Sequence, residues 1–133
     1  MNAMLVRQMM RFGVVGGVGF IVDGGMLWFL LTNDFSPYVG RALSFPAAVM
    51  VTWALNRIWT FGVVGGSGKI RQFNRYVLVQ LIGAAMNYTV YSIIVGAGGE
   101  VTSVIALGFV LGSFVGMVFN FWGARQIAFS ADV

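Results

Sequence analysis

The chain has 133 residues, of which 59% are hydrophobic and 9% are charged, and its mean hydropathy is +0.87. Soluble domains carry about 25% charged residues, so this chain has too few polar groups to cover a water-soluble globular surface. It contains no cysteine and no histidine, which excludes disulfides, thiolate nucleophiles and the most common general base and metal ligand. With four acidic residues in all, two-carboxylate catalysis is not expected either. We therefore expect no enzyme, no metal site and no cofactor.

Four long apolar runs follow one another along the chain. They cover residues 12–32, 39–59, 76–95 and 101–122. A helix needs about 20 residues to cross a bilayer, whereas a membrane β-strand would show alternating polarity over about 10 residues. The runs do not alternate. The sequence therefore predicts an all-α integral membrane protein with four transmembrane helices in a single domain, 1–133.

Basic residues are unevenly distributed around these predicted spans. Seven of them lie on one predicted side of the membrane. Arg7 and Arg11 precede the first span, and Arg125 follows the fourth. At the end of the second span or between it and the third lie Arg57, Lys69, Arg71 and Arg75. Arg41 lies near the opposite face, together with Asp34 and Glu100. Because positive residues stay on the cytoplasmic side, we expect both termini to be cytoplasmic. The net charge of +4 is then explained by orientation and lipid contact, and we expect no nucleic-acid partner.

The two halves of the chain resemble each other in their rare polar residues. Residues 7–12 pair with 71–76 at an offset of 64, and the same offset places Asp23 on Asn87. Residues 53–61 pair with 121–129 at an offset of 68. Since each half contains two spans, both halves insert the same way up. This predicts a parallel 2+2 internal repeat about an axis along the membrane normal.

Short motifs distributed along nearly the whole chain carry a resemblance to a known family. They are the pair Arg11-Phe12, the segments 40–45 and 56–61 (the latter Asn-Arg-Ile-Trp-Thr-Phe), and the residues Asn120, Arg125 and Phe129. Together they make the chain resemble the GtrA family of four-span bacterial membrane proteins. The second copy departs from the pattern, because Ala124 and Ile127 stand at the positions of the Asn and Trp in the first.

This resemblance implies a role in the cell-envelope glycan synthesis of bacteria, in the cytoplasmic membrane. The implied substrate is a sugar linked to polyprenyl phosphate (an undecaprenyl-type lipid), and the implied activity is translocation as a flippase or carrier. An alternative is an adaptor that recruits or stabilises a membrane glycosyltransferase, since similar domains form the membrane part of polyprenyl-phosphate sugar synthases. A small multidrug exporter also has four spans and one acid in the first, but the basic asymmetry argues against it. A homodimer is compatible with so small a chain.

Two arginines at the predicted inner boundary are candidates for binding a lipid phosphate. Arg57 and Arg125 occupy equivalent places in the two halves, and a guanidinium can bind a phosphate through two parallel hydrogen bonds. Asn56 adds an amide donor, and Trp59 is placed at the interface where indole rings concentrate. Ordinary topological placement is the alternative explanation for any cytoplasmic arginine.

Asp23 lies roughly 16 Å into the first predicted span, where an acid costs about 2.5–3.5 kcal/mol on insertion scales. It either ties helices together as a hydrogen-bonded group or serves function, and its expected partners are Asn87 and Arg41. With Asn120, these residues supply polar groups for a headgroup path.

The fourth span has small residues at every fourth position. They are Gly108, Gly112 and Gly116, and they continue into Asn120. Such stripes allow close helix packing. The stripe leaves open whether the partner helix belongs to the same chain or to a second copy.

Overall fold

The computed structural model describes residues 2–63, 65, 66, 68–99 and 101–130. These residues form four α-helices and, in the described part, no strand. The helices are α1 (Ala3–Thr32), α2 (Pro37–Leu55), α3 (Lys69–Gly98) and α4 (Thr102–Gly123). Two five-residue π-helical segments continue α2 and α4, namely π1 (Asn56–Thr60) and π2 (Ala124–Ala128). Glu100, predicted to lie on the outer side, is outside the described residues.

The chain divides into two compact units, residues 1–66 and 67–132. In unit 1, α1 packs against α2 and π1; in unit 2, α3 packs against α4 and π2. Each unit is therefore a helical hairpin whose second helix ends in a π-helical turn.

Three helical segments are long and apolar enough to cross a membrane: Ala3–Thr32, Lys69–Gly98 and Thr102–Ala128. The chain is thus an all-helical membrane protein with three candidate spans in its described part. The remaining predicted span, 39–59, corresponds to α2 and π1 and falls outside this group. Its α-helix has 19 residues and includes Pro46 and the charged Arg41, which interrupt its apolar character.

The first and third helices start earlier than their apolar runs. Helix α1 begins at Ala3 and α3 at Lys69, whereas the predicted spans begin at residues 12 and 76. The additional turns carry charged residues. A hydropathy pattern places such residues in the connections between spans, although charged residues are also compatible with a helix. Asn2 caps α1 by accepting a hydrogen bond from the backbone N–H of Met4 at 3.2 Å. At the start of α3, Gly68 has a φ of 87°, a conformation that glycine adopts readily.

The two π-helical segments have the same geometry at equivalent sequence positions. The backbone N–H of Phe61 donates to the carbonyl of Asn56 at 2.9 Å, and that of Phe129 donates to the carbonyl of Ala124, also at 2.9 Å. Each bond spans five residues, which defines the wider π turn. Single π turns are frequent at functional sites.

Within each unit the same aromatic contact joins the first helix to the residue after the π turn. In unit 1 the rings of Phe12 and Phe61 meet edge to face, with centroids 6.5 Å apart. In unit 2 the rings of Tyr76 and Phe129 do so at 6.0 Å. The buried faces of the two first helices also correspond, through the pairs Gln8 and Gln72, Phe12 and Tyr76, Val15 and Val79, and Gly19 and Gly83. The two units therefore share one internal packing scheme.

Candidate functional site

An ion pair joins the two helices of unit 1. Nη1 of Arg41 donates to both carboxylate oxygens of Asp23, at 2.8 and 2.7 Å. The guanidinium also lies 6.0 Å from the ring centroid of Phe45. The expected pairing of Asp23 with Arg41 is thus present, and it ties α1 to α2.

The same pair is accessible, because the Asp23 side chain is 23% exposed and the Arg41 side chain 52%. Asp23 lies nine residues before the end of α1 at Thr32, a distance of roughly 13 Å along the helix. Charged groups inside a membrane normally face protein or a polar cavity. Since Nη1 satisfies the carboxylate, the other N–H groups of Arg41 can donate to a hydroxyl or an anionic oxygen.

Asn87, the second expected partner of Asp23, lies in unit 2. Its backbone carbonyl and its Oδ1 would each be 2.6 Å from a Cβ added at Gly112. The structure therefore places Asn87 against α4 in its own unit, and its pairing with Asp23 stays a prediction.

Asn120 packs on the facing helix of unit 2. Its side chain lies directly over Gly83, in the place that a Cβ at that position would fill. Thr52 lies over Gly19 in the same way in unit 1. Among the described residues, the Oδ1 atom of Asn120 is buried and has no hydrogen-bond partner. An unsatisfied buried acceptor is costly, and a role for Asn120 in a headgroup path stays a prediction.

The glycines of α4 pack on α3 of the same chain. A Cβ at Gly108 would lie 3.2 Å from the ring of Tyr91, and one at Gly116 would lie 3.0 Å from the carbonyl of Gly83. With Gly112 against Asn87, the stripe allows the two helices to approach closely. This settles the open question of which helix the stripe packs against.

Arg57 and Asn56 are both buried in π1. Nη2 of Arg57 donates to the carbonyl of Gly65, and its guanidinium lies 5.9 Å from the ring centroid of Trp53. Oδ1 of Asn56 accepts a hydrogen bond from the hydroxyl of Thr60 at 2.8 Å. Both side chains are thus used within unit 1, where Arg57 holds the segment that follows the π turn. Direct contact of Arg57 with a lipid phosphate stays a prediction.

The other two residues predicted at the inner boundary also contact their own chain. Arg125 is half-buried, with its guanidinium 5.9 Å from the ring centroid of Trp122. Trp59 is exposed and contacts Arg11. Nη1 of Arg11 donates a hydrogen bond to the Trp59 carbonyl at 2.8 Å. The Arg11 guanidinium lies 5.3 Å from the Trp59 ring centroid.

Sequence reasoning did not single out two open grooves at the starts of α1 and α3. Groove 1, of about 420 Å³, is lined by Ala3, Val6, Arg7, Met10, Arg11, Val14 and Trp59. Groove 2, of about 620 Å³, is lined by Gly68, Ile70, Arg71, Asn74, Arg75 and Leu78. Each combines two arginines with apolar walls. The signal is present in the pairing of residues 7–12 with 71–76, whose arginines are explained first by positive-inside placement.

Comparison with known proteins identifies the family. The family model described as "GtrA/DPMS, transmembrane domain" matches residues 11–129. The chain belongs to the GtrA/DPMS transmembrane-domain family. The resemblance to GtrA proteins is thereby confirmed.

This GtrA/DPMS domain also matches a curated protein named dolichol-phosphate mannosyltransferase, from Pyrococcus furiosus. The two are 22% identical over 122 residues, which make up 92% of this chain and 32% of that protein. The chain therefore spans about a third of the length of this relative.

In each unit of this GtrA/DPMS domain, arginines lie at the start of the first helix and in the π segment. Unit 1 also contains the Asp23–Arg41 pair, well inside α1 and early in α2. Guanidinium groups can bind an anionic phosphate, and the Asp23–Arg41 pair can exchange hydrogen bonds with hydroxyl groups.

Proposed function

We propose that this domain binds a polyprenyl-phosphate-linked sugar in the bacterial cytoplasmic membrane and carries its headgroup across. The observation that carries the proposal is the accessible Asp23–Arg41 pair on helices of apolar composition. A pair that only tied two helices together would not need its arginine half exposed. Placing charged side chains in the membrane costs free energy. Binding an anionic, hydroxyl-rich headgroup is a function that requires such charged side chains.

The comparisons support the lipid class in this proposal. The relative from Pyrococcus furiosus is named for dolichol phosphate, which is itself a polyprenyl-type phosphate, and it aligns with nearly the whole chain. In this proposal the domain makes and breaks no bond and needs no cofactor. Its work is to bind the headgroup and to shield it from the hydrocarbon region.

The proposed topology has four spans, with α2 and π1 as the second. Both termini are cytoplasmic, the two units form a parallel 2+2 repeat, and together they act as a single domain. The shared packing scheme of the units supports the repeat. The arginines at the starts of α1 and α3 support the orientation, because positive residues stay in the cytoplasm. The headgroup then moves from the cytoplasmic side of the membrane towards the Asp23–Arg41 pair.

Transport by the purified protein tests this proposal. The full chain is reconstituted into phosphatidylcholine vesicles containing a fluorescent polyprenyl-phosphate sugar, and a membrane-impermeant quencher reports how much label reaches the outer leaflet. We expect rapid exchange with the wild type and a rate at least tenfold lower for Asp23→Ala and Arg41→Ala. Asp34→Asn is the control, because it removes the charge of an exposed acid outside the helices and asparagine tolerates the φ of 63° at this position.

Two results would overturn the proposal. One is a wild-type rate no higher than that of protein-free vesicles. The other is full activity in both the Asp23 and the Arg41 variants, which would make the pair dispensable.

An adaptor that recruits or stabilises a membrane glycosyltransferase is the second candidate. It is favoured by the alignment of this chain with about a third of a protein named as a mannosyltransferase. An adaptor would not move lipid by itself, but it would raise the activity or the amount of a glycosyltransferase reconstituted with it. A homodimer stays a prediction under either function.

A further inference from the structure

Grooves 1 and 2 are built from equivalent residues of the two units. Five lining residues correspond at the offset of 64: Val6 and Ile70, Arg7 and Arg71, Met10 and Asn74, Arg11 and Arg75, and Val14 and Leu78. Each groove therefore has an arginine pair four residues apart on one helix face, with an aliphatic residue beside each end of the pair. Any difference between the grooves reflects the few positions at which the units differ.

The first such difference concerns the second arginine of each pair. In groove 1, Arg11 donates to the carbonyl of Trp59 and lies over its ring. The position equivalent to Trp59 in unit 2 is Ile127, which has no aromatic ring to offer Arg75. Within the part of the chain that the structure describes, Arg71 and Arg75 are exposed and make no hydrogen bond or ion pair.

The second difference concerns the residue between the arginines. Groove 1 has Met10 there, and groove 2 has Asn74. The amide of Asn74 adds a neutral donor between two guanidinium groups. Groove 2 therefore presents an amide and two arginines that make no hydrogen bond or ion pair, whereas in groove 1 the guanidinium of Arg11 is held at Trp59 by one hydrogen bond and a ring contact.

This donor set matches the chemistry of a phosphate group. Guanidinium groups bind phosphate oxygens through paired, charge-assisted hydrogen bonds. The groove walls add Ile70 and Leu78, and the groove runs along the start of a helix long and apolar enough to cross a membrane. A phosphate attached to a hydrocarbon chain fits both properties, whereas free phosphate would make no use of the apolar walls.

We propose that groove 2 binds the phosphate of the polyprenyl lipid and that groove 1 does not. The inference rests on the proposed function and specifies where the phosphate lies. It assigns the contact to Arg71 and Arg75, and it leaves Arg57 as a residue that positions the segment after π1. The degenerate second copy, in which Ile127 replaces a tryptophan, is thus the copy that holds the ligand.

Binding to matched charge variants tests the inference. The full chain in a zwitterionic detergent is titrated with undecaprenyl monophosphate, and native mass spectrometry counts the bound lipid. Arg71→Gln and Arg75→Gln should each raise Kd about tenfold, the effect of losing one charge-assisted contact. Arg7→Gln and Arg11→Gln remove the same charge at the equivalent positions and should leave Kd within twofold.

Further binding measurements identify the source of the phosphate and the role of the Asn74 amide. Undecaprenol, which lacks the phosphate, should bind equally weakly to all variants, and millimolar inorganic phosphate should compete poorly with the lipid. Asn74→Met places the groove 1 residue in groove 2 and should weaken binding about threefold. Circular dichroism and monodispersity verify that each variant is folded.

Two outcomes overturn the inference and leave the proposed function standing. Equal losses of lipid affinity in the variants of the two arginine pairs would mean that the lipid is attracted to positive charge in general. Unchanged affinity in Arg71→Gln and Arg75→Gln would place the phosphate elsewhere. Absence of lipid binding by the wild type would instead contradict the proposed function itself.

Discussion

At the scale of single residues, the Asp23–Arg41 pair is the most unusual feature of the molecule. Each charge makes the other tolerable in an apolar environment, since an isolated charge at the centre of a span costs about 2.5–3.5 kcal/mol on insertion scales. Removing one partner leaves the other uncompensated, which is generally worse than removing both. We therefore expect the stability losses from removing the two side chains to be non-additive. Loss of either side chain should still impair transport.

A double-mutant cycle tests this coupling. Asp23→Ala and Arg41→Ala should each lower the melting temperature of the purified protein, with the larger loss for Arg41→Ala, because a long arginine side chain reaches the interface more easily than an aspartate does. The double variant should recover stability but not transport. Additive losses in stability would contradict the coupling. Asp23→Asn, which matches Asn87, should retain more activity than Asp23→Ala if hydrogen bonding is the role.

Arg57→Lys addresses the buried arginine of π1. Lysine keeps the charge but loses the planar group that reaches both the Gly65 carbonyl and the Trp53 ring. We expect a loss of about 1.5–3 kcal/mol in unfolding free energy, the range for hydrogen bonds to charged groups, measured as denaturant resistance in detergent. Arg125→Lys is the matched comparison and should cost less, because Arg125 is half-buried. Wild-type stability of Arg57→Lys would show that these contacts contribute little.

At the scale of elements, the glycines of α4 and α1 differ in what surrounds them. Residues 108, 112 and 116 lie against α3, whereas a Cβ at Gly13 or Gly17 would meet no described atom within 4 Å. The spacing of four residues is the same in both helices, so spacing alone does not identify a packed stripe.

Gly112→Ala and Gly17→Ala form a matched pair of variants. The new methyl group at Gly112 would lie 2.6 Å from the backbone carbonyl of Asn87, an atom that cannot move without shifting α3. We expect a loss of about 1–3 kcal/mol from this overpacking, seen as a lower melting temperature. Gly17→Ala should be neutral or stabilising by up to about 1 kcal/mol, because alanine favours helix. Equal effects would contradict the assigned packing.

Some of these structural features could be predicted from the sequence and others could not. The apolar runs predicted all four helices, and the need of an intramembrane acid for a partner predicted the contact of Asp23 with Arg41. Hydropathy marks only the apolar stretch, so it missed the polar first turns of α1 and α3. The π turns and the burial of Arg57 depend on contacts of residues 61, 63 and 65 with the helix end. Those are tertiary contacts, which local patterns do not encode.

At the scale of the whole molecule, the basic residues set the expected orientation. Reporter fusions check it: green fluorescent protein at the C-terminus should fluoresce, and alkaline phosphatase inserted within 96–99 should be active. Together with an active phosphatase inserted at residue 34, these are the results expected of a chain with both termini in the cytoplasm and α2 with π1 as a full span. An active phosphatase at the C-terminus would contradict the proposed topology, because it would indicate an odd number of spans or the opposite orientation.

The central claim is that this GtrA/DPMS domain recognises a polyprenyl phosphate, and the most direct measurement is of the lipid it carries from its own membrane. The protein is extracted gently, and native mass spectrometry followed by fragmentation identifies the bound species. We expect a polyprenyl phosphate, with or without a sugar, to be retained by the wild type and depleted in Arg71→Gln and Arg75→Gln. Retention of bulk phospholipids alone would contradict it.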